Sequence, residues 1–235
     1  MVKKMKDLTF LKTQLFAHRG LHSKDLSIPE NSIAAFKAAM TQGFAIELDV
    51  NVTKDGVALS FHDNHLKRLC NDARMLSDVT YEDIKYLKLL ESNESIPTFK
   101  EVLTLVSGKV PLLIELKPHG DIPLLCQSVM HDLKDYNGQY ALFSFHPKAL
   151  HWLKKHHPDV IRGQISEYFK DQKMSKLSKY LMRSMFFNRF TRPDFVSYGI
   201  KDLPNKYLDR LKKKGMTIIS YAAKSQEELD FVRSY

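Results

Sequence analysis

Seven polar residues interrupt or close apolar runs where a purely structural chain would stay hydrophobic. His18-Arg19-Gly20 ends the run at 15–17, Glu47 and Asp49 lie within 45–52, His62 follows 57–61, and Glu115 and Lys117 close 112–116. Side chains two apart on a strand share a face, so Glu47 and Asp49 point together, as do Glu115 and Lys117. Three carboxylates converging on one point repel each other unless a cation sits among them. Oxygen-only ligands select a hard divalent ion, Ca²⁺ or Mg²⁺, over Zn²⁺. His18 and His62 would add groups that titrate near neutrality and suit general acid–base work. Arg19 and Lys117 offer fixed positive charge to an anion, the arginine with bidentate phosphate geometry. Hydrolysis at a phosphoryl group is the chemistry this set implies.

The elements that must position these groups alternate between strand-like and helix-like. Main strands are predicted to begin at 15, 45, 112, 140, 160, 195 and 216, with a small strand at 57–61 after the turn Lys54-Asp55-Gly56. Helices are predicted at 32–42, 99–106, 122–134, 147–156, 173–187 and 205–214, and a last one from Gln226. A looser stretch, 63–97, contains a helical piece near 81–90. Parallel strands need helical crossovers, so this rhythm predicts a parallel sheet. Seven main strands in 235 residues fit an α/β fold of the TIM (β/α)8 type that lacks its last strand. In such a barrel the chemistry lies at the strand C-termini. Either carboxylate pair alone suits a solvated strand end, and His18 alone suits a satisfied core histidine. It is their shared position at successive strand ends that points to a site. His131, His146, His151, His156 and His157 fall on helices or helix starts and read as surface residues.

Composition is globular: 43% hydrophobic and 27% charged, with 9 Gly and 9 Pro in 235 residues. The longest apolar runs are strand-sized, well short of the ~20 residues of a membrane span. The basic start Met1-Val2-Lys3-Lys4-Met5-Lys6-Asp7 resembles a signal peptide, but Asp7, Thr9, Lys12 and Gln14 break up any apolar core. A cytoplasmic chain is therefore expected, and Cys70 and Cys126, without CxxC spacing, read as reduced thiols. Net charge is +9, and residues 151–192 hold ten basic side chains against three acidic ones. Local positive charge suits an anionic partner. Between 170 and 192, apolar residues (Met182, Met185, Phe186, Phe187, Phe190) interleave with Lys179, Arg183 and Arg189, as in a basic interfacial helix, so peripheral membrane contact is an alternative role. No nucleic-acid module accompanies the charge, so no nucleic-acid partner is expected.

The runs Ala17-His18-Arg19-Gly20, Pro29-Glu30-Asn31-Ser32, Glu47-Leu48-Asp49-Val50, Phe61-His62-Asp63, Asp78-Val79-Thr80, Ile96-Pro97-Thr98 and Ile114-Glu115-Leu116-Lys117 closely resemble, in order and spacing, the glycerophosphodiester phosphodiesterase family. The resemblance is clear over about 15–150. It implies that Glu47, Asp49 and Glu115 ligate Ca²⁺ or Mg²⁺, that His18 and His62 form the acid–base pair, and that Arg19 and Lys117 hold the phosphate. It implies small-molecule substrates such as glycerophosphocholine, cleaved to sn-glycerol 3-phosphate and an alcohol, with attack by the glycerol 2-hydroxyl through a cyclic intermediate. A related activity, cleavage of lysophospholipids in the manner of a lysophospholipase D, uses much the same residues. The family also inserts a small module after its second strand, here about 64–97, so a single barrel domain over 1–235 is expected. Glu30 and Asn31 match a family motif, but locally they read as helix-entry residues. Two departures stand out. Family members end their last strand in a Thr-Asp-x-Pro-like turn, whereas this chain reaches Tyr235 first, so the expectation is a truncated sequence, a barrel closed with seven strands or an edge supplied by a partner, and an open barrel would be prone to association. Ser220-Tyr221-Ala222-Ala223 also stands where the family often has a Trp-Thr-like pair.

Overall fold

A computed structural model describes residues 6–235. The basic run at 1–5, on which the reading of a signal peptide partly rests, lies outside the described residues. The chain divides into two compact units, Gln14–Leu142 and a second that joins 6–13 to Phe143–Tyr235.

In the first unit, β1 (Phe16–His18), β2 (Ala45–Val52) and β4 (Leu112–Leu116) are parallel, with β2 in the middle. The small strand β3 (Ala58–Ser60) folds back antiparallel on β2, with Val50 opposite Ser60. Every residue of β2 and β4 is buried. That is the condition of a parallel strand covered on both faces, and it makes the acids embedded there costly. The crossover helix Ile33–Thr41 is capped by Ser32, whose hydroxyl accepts from Ala35 N. Asn31, expected to serve helix entry, lies outside the cap with φ +56°. Helix Phe99–Val106 opens with a capping box between Thr98 and Glu101, and Pro123 sits in the first turn of Ile122–Asp132.

The loose stretch is a module with its own small core, in which Leu66, Leu69, Leu76, Ile84 and Leu89 pack with Leu59 and Phe61 of the small-strand region. The helix expected at 81–90 is absent; turns replace it. The Leu89 N–H donates to Glu94 O at 2.9 Å and the Leu90 N–H to Leu69 O at 2.6 Å, so the backbone here is paired outside any helix. Regular structure here is limited to a short helix at Lys67–Cys70 and a 3₁₀ turn at Leu76–Asp78.

Strand β5 (Tyr140–Ser144) spans the division between the units. In the second unit, β6 (Arg162–Ser166), β7 (Phe195–Gly199) and β8 (Thr217–Tyr221) are parallel, with β7 central. Gly163 leaves room for the Phe195 ring, which would lie 2.2 Å from any added Cβ. The basic segment after β6 forms two short helices, Lys176–Arg183 and Asn188–Thr191, instead of one long one. Of its apolar residues, Met185 is buried with Val196, Tyr198 and Leu208, whereas Phe190 is exposed. Among the described residues, no helix is long and apolar enough to cross a membrane. Cys70 and Cys126 are unpaired.

Candidate active site

Strand register assembles the site. In the β1–β2 pair His18 stands opposite Glu47, and in the β2–β4 pair Asp49 stands opposite Glu115. The Phe61 N–H donates to the Asp49 carbonyl at 3.1 Å, which delivers His62 to the same end, and the Lys117 N–H donates to Val50 O at 2.9 Å. All seven residues singled out from the sequence thus fall in one unit: His18 and Glu115 lie at or near the ends of β1 and β4, Arg19, His62 and Lys117 just beyond strands, and Glu47 and Asp49 inside the longer β2 at the level its register sets.

Glu47, Asp49 and Glu115 are buried, and a carboxylate oxygen from each lies within 4.8 Å of the others. Lys117 Nζ is 2.5 Å from Glu115 Oε1 and 3.1 Å from Asp49 Oδ1. Arg19 donates its backbone N–H to Glu47 Oε2 at 2.9 Å, and its Nε lies 3.2 Å from Asp49 Oδ2. The electrostatics follow. Burial, and then the Asp49 and Glu115 charges, push Glu47 well above the usual carboxylate range. Burial pushes Glu115 up to about 7 despite Lys117. Burial opposes ionisation of Asp49 as well, but Lys117, Arg19 and His62 outweigh it and hold Asp49 low.

These donors fit a hard divalent cation. All are carboxylate oxygens, Asp49 Oδ1 is buried and accepts no hydrogen bond beyond its ion pair with Lys117, and the crowding favours a proton on Glu47. A cation would relieve the same repulsion.

Both histidines are held below the ordinary imidazole value, His18 at about 4 by desolvation and then by Arg19, and His62 by burial and then by Lys117. The Nδ1 of His62 is 2.6 Å from Asp63 Oδ1. An ionised carboxylate only accepts, so this bond assigns the ring proton to Nδ1 and leaves Nε2 as an acceptor.

Several supporting residues were not picked out from the sequence. Asn31 is buried and clamps Asp49 twice: Nδ2 donates to Oδ2 at 2.9 Å, and Oδ1 accepts from the Asp49 N–H at 3.1 Å. Glu30 accepts from Arg19 at 2.7 Å and from both terminal nitrogens of Arg68, whose Nε reaches Asp63 Oδ2 at 2.6 Å. An ion-pair chain therefore runs from His62 through Asp63, Arg68 and Glu30 to Arg19. The Pro29-Glu30-Asn31-Ser32 motif was the available signal for Glu30 and Asn31. Arg68 had none, because it sits exposed on a short helix of the module.

The glycerophosphoryl diester phosphodiesterase family model matches residues 18–235. The chain belongs to this family. Among its relatives, the glycerophosphodiester phosphodiesterase of Caldanaerobacter subterraneus subsp. tengcongensis is 38% identical over 164 residues, covering 65% of this chain and 66% of that protein. That of Bacillus altitudinis is 31% identical over 160 residues, covering 63% and 64%. The chain therefore matches slightly under two thirds of the length of either relative. The Oleispira antarctica phosphodiesterase, solved with its product sn-glycerol-3-phosphate, superposes with a TM-score of 0.78 at 22% identity, covering 93% of this chain and 88% of that one. The Thermotoga maritima glycerophosphodiester phosphodiesterase gives 0.71 at 23%, covering 93% and 89%. At these identities the likeness speaks for the fold, which is the family's (β/α) barrel type with a small insertion after the second strand.

Proposed function

We propose that this chain hydrolyses glycerophosphodiesters such as glycerophosphocholine to sn-glycerol 3-phosphate and an alcohol. The observation that supports this reading best is the buried trio Glu47, Asp49 and Glu115, grouped within 4.8 Å at the strand ends that also carry His18 and His62. The trio would hold one Ca²⁺ or Mg²⁺ ion. When bound, such an ion neutralises diester oxygens and lowers the pKa of the attacking hydroxyl.

The chain's own residues do the rest. Arg19 and Lys117 present positive charge to the phosphate, each steadied by the carboxylates it already pairs with. One histidine takes the proton of the attacking hydroxyl, from water or from the glycerol itself; in the latter case a cyclic phosphate forms and water opens it in a second step to give sn-glycerol 3-phosphate. As the P–O bond to the head group breaks, the other protonates the leaving alcohol oxygen. His62 has the geometry for a proton acceptor, because Asp63 fixes the ring proton on Nδ1. An arriving anionic diester raises the pKa of whichever imidazole it approaches, which suits the donor role. The unpaired cysteines fit a cytoplasmic setting.

The test is release of sn-glycerol 3-phosphate from glycerophosphocholine with Ca²⁺, with Mg²⁺ and with chelator, beside a His18→Ala control. Metal-dependent release that disappears in the variant supports the reading. No release from a folded protein overturns it for this substrate, and release from lysophosphatidylcholine instead would move the assignment to lysophospholipids.

A further inference from the structure

We infer that the segment between β6 and β7 is a docking surface for anionic lipid bilayers. Met174, Leu177 and Tyr180 recur every three residues along and just before helix Lys176–Arg183, and they are 38%, 67% and 47% exposed. Three-residue spacing places Leu177 and Tyr180 on one helical face, and Met174 lies just before the N-cap Ser175. The helix buries none of its residues fully, so this outward stripe is its dominant apolar feature. Its inner side is nevertheless anchored: Ser166 Oγ donates to Met182 O at 2.9 Å, and Tyr198 Oη donates to Arg183 O at 3.2 Å. The stripe is therefore presented on a fixed support.

Charge says what covers it. Residues 170–192 carry seven basic side chains and a single acid, Asp171. Lys173 and Lys176 flank the stripe and have no ion pair among the described residues. A second copy of the chain would bring the same lysines face to face. Three side chains also offer far less than the roughly 800 Å² per partner of a stable protein interface. A nucleic acid would meet an aliphatic centre in place of a stacking platform. A bilayer with anionic headgroups accepts both parts, with apolar side chains at the acyl boundary and lysines among the phosphates. The surface lies wholly in the second unit, so this inference does not depend on the proposed catalysis.

Co-sedimentation of the full chain with phosphatidylcholine vesicles, with and without roughly one-third phosphatidylserine, tests it. Binding is expected to the anionic vesicles only, weakening as salt rises from about 0.1 M to about 0.5 M. Lys173→Gln and Lys176→Gln should each lower the partition coefficient about fivefold. Leu177→Asp should lower it roughly tenfold or more, and circular dichroism melts check that each variant folds. Absence of binding to anionic vesicles, equal binding to neutral ones, or folded variants that bind as well as the parent overturns the inference. A dimer in sedimentation equilibrium that Leu177→Asp dissociates overturns it in favour of a second copy.

Discussion

Asp63 Oδ1 lies 2.6 Å from His62 Nδ1, and Arg68 grips the other oxygen of the same carboxylate. The aspartate is thus fixed by an arginine before it fixes the histidine. The imidazole that serves the proposed proton transfer has a set tautomer and a set tilt.

Replacing that carboxylate by an amide keeps the shape and removes the instruction. Asp63→Asn leaves a side chain able to donate to Nδ1, which puts the ring proton on Nε2, the nitrogen meant to accept. Glycerophosphodiester turnover, read as kcat/KM well below the melting temperature, should fall about 10²-fold, alongside a modest drop in melting temperature from the lost Arg68 pair. An unchanged kcat/KM would remove Asp63 from the account.

Glu47 provides a test of the cation site that needs no substrate. Its carboxyl is pushed towards the protonated form, so Glu47→Gln should melt at or above the parent temperature without metal. Saturating Ca²⁺ or Mg²⁺, at about 100 times Kd, should stabilise the parent by about 2.7 kcal/mol. For a domain of this size that is a rise of about 5–10 °C. The variant should lose the rise. A parent whose melt ignores both ions contradicts the site.

The turn after β1 depends on glycine. Gly20 has φ +76°, and an added Cβ would sit 2.8 Å from Ala35 Cβ and 2.9 Å from its backbone carbon. Gly20→Ala should cost about 2–3 kcal/mol in denaturant unfolding, from left-handed strain plus the clash. A loss below about 0.5 kcal/mol, the usual size for a neutral surface change, would show that the helix gives way freely.

Acid should dissolve the ion-pair chain. Burial alone would raise the Glu30 and Asp63 carboxyls. Arg68 and Arg19 hold Glu30 low instead, and Arg68 and His62 hold Asp63 low. In the unfolded chain both return to ordinary values near 4. Their contribution is therefore complete above about pH 4 and is lost as pH falls through the depressed folded values. Arg68→Gln should melt below the parent at pH 7, and the gap should close in stronger acid. A gap that stays constant across this range would refute the attribution.

What could be read in advance follows the reach of each interaction. Glu47, Asp49, Glu115 and Lys117 were legible because they break apolar runs at period two, and strand register needs little more than that. Asn31 was not, since its role is a pair of bonds to a residue 18 positions away, invisible to local spacing. At 81–90 apolar spacing suggests a helix, but the Leu89 and Leu90 N–H groups bond to Glu94 and Leu69, partners that local spacing does not reveal. In the basic segment Phe190 is exposed as its spacing among the basic residues suggests, but the apolar spacing does not distinguish inward from outward positions. Met185 turns inward, while Leu177 and Tyr180 carry the exposed face.

The Asn31 clamp also bears on the order of assembly. Arg19–Glu30, Asn31–Asp49 and Arg19–Glu47 close loops of 11, 18 and 28 residues. Loops of that size cost little entropy to close and form quickly. Much of the pocket can therefore come together from one contiguous stretch as it leaves the ribosome. Glu115 and Lys117 have yet to be translated at that stage. A cation held by the proposed trio would therefore be captured late, as a seal on a finished pocket in place of a seed for it.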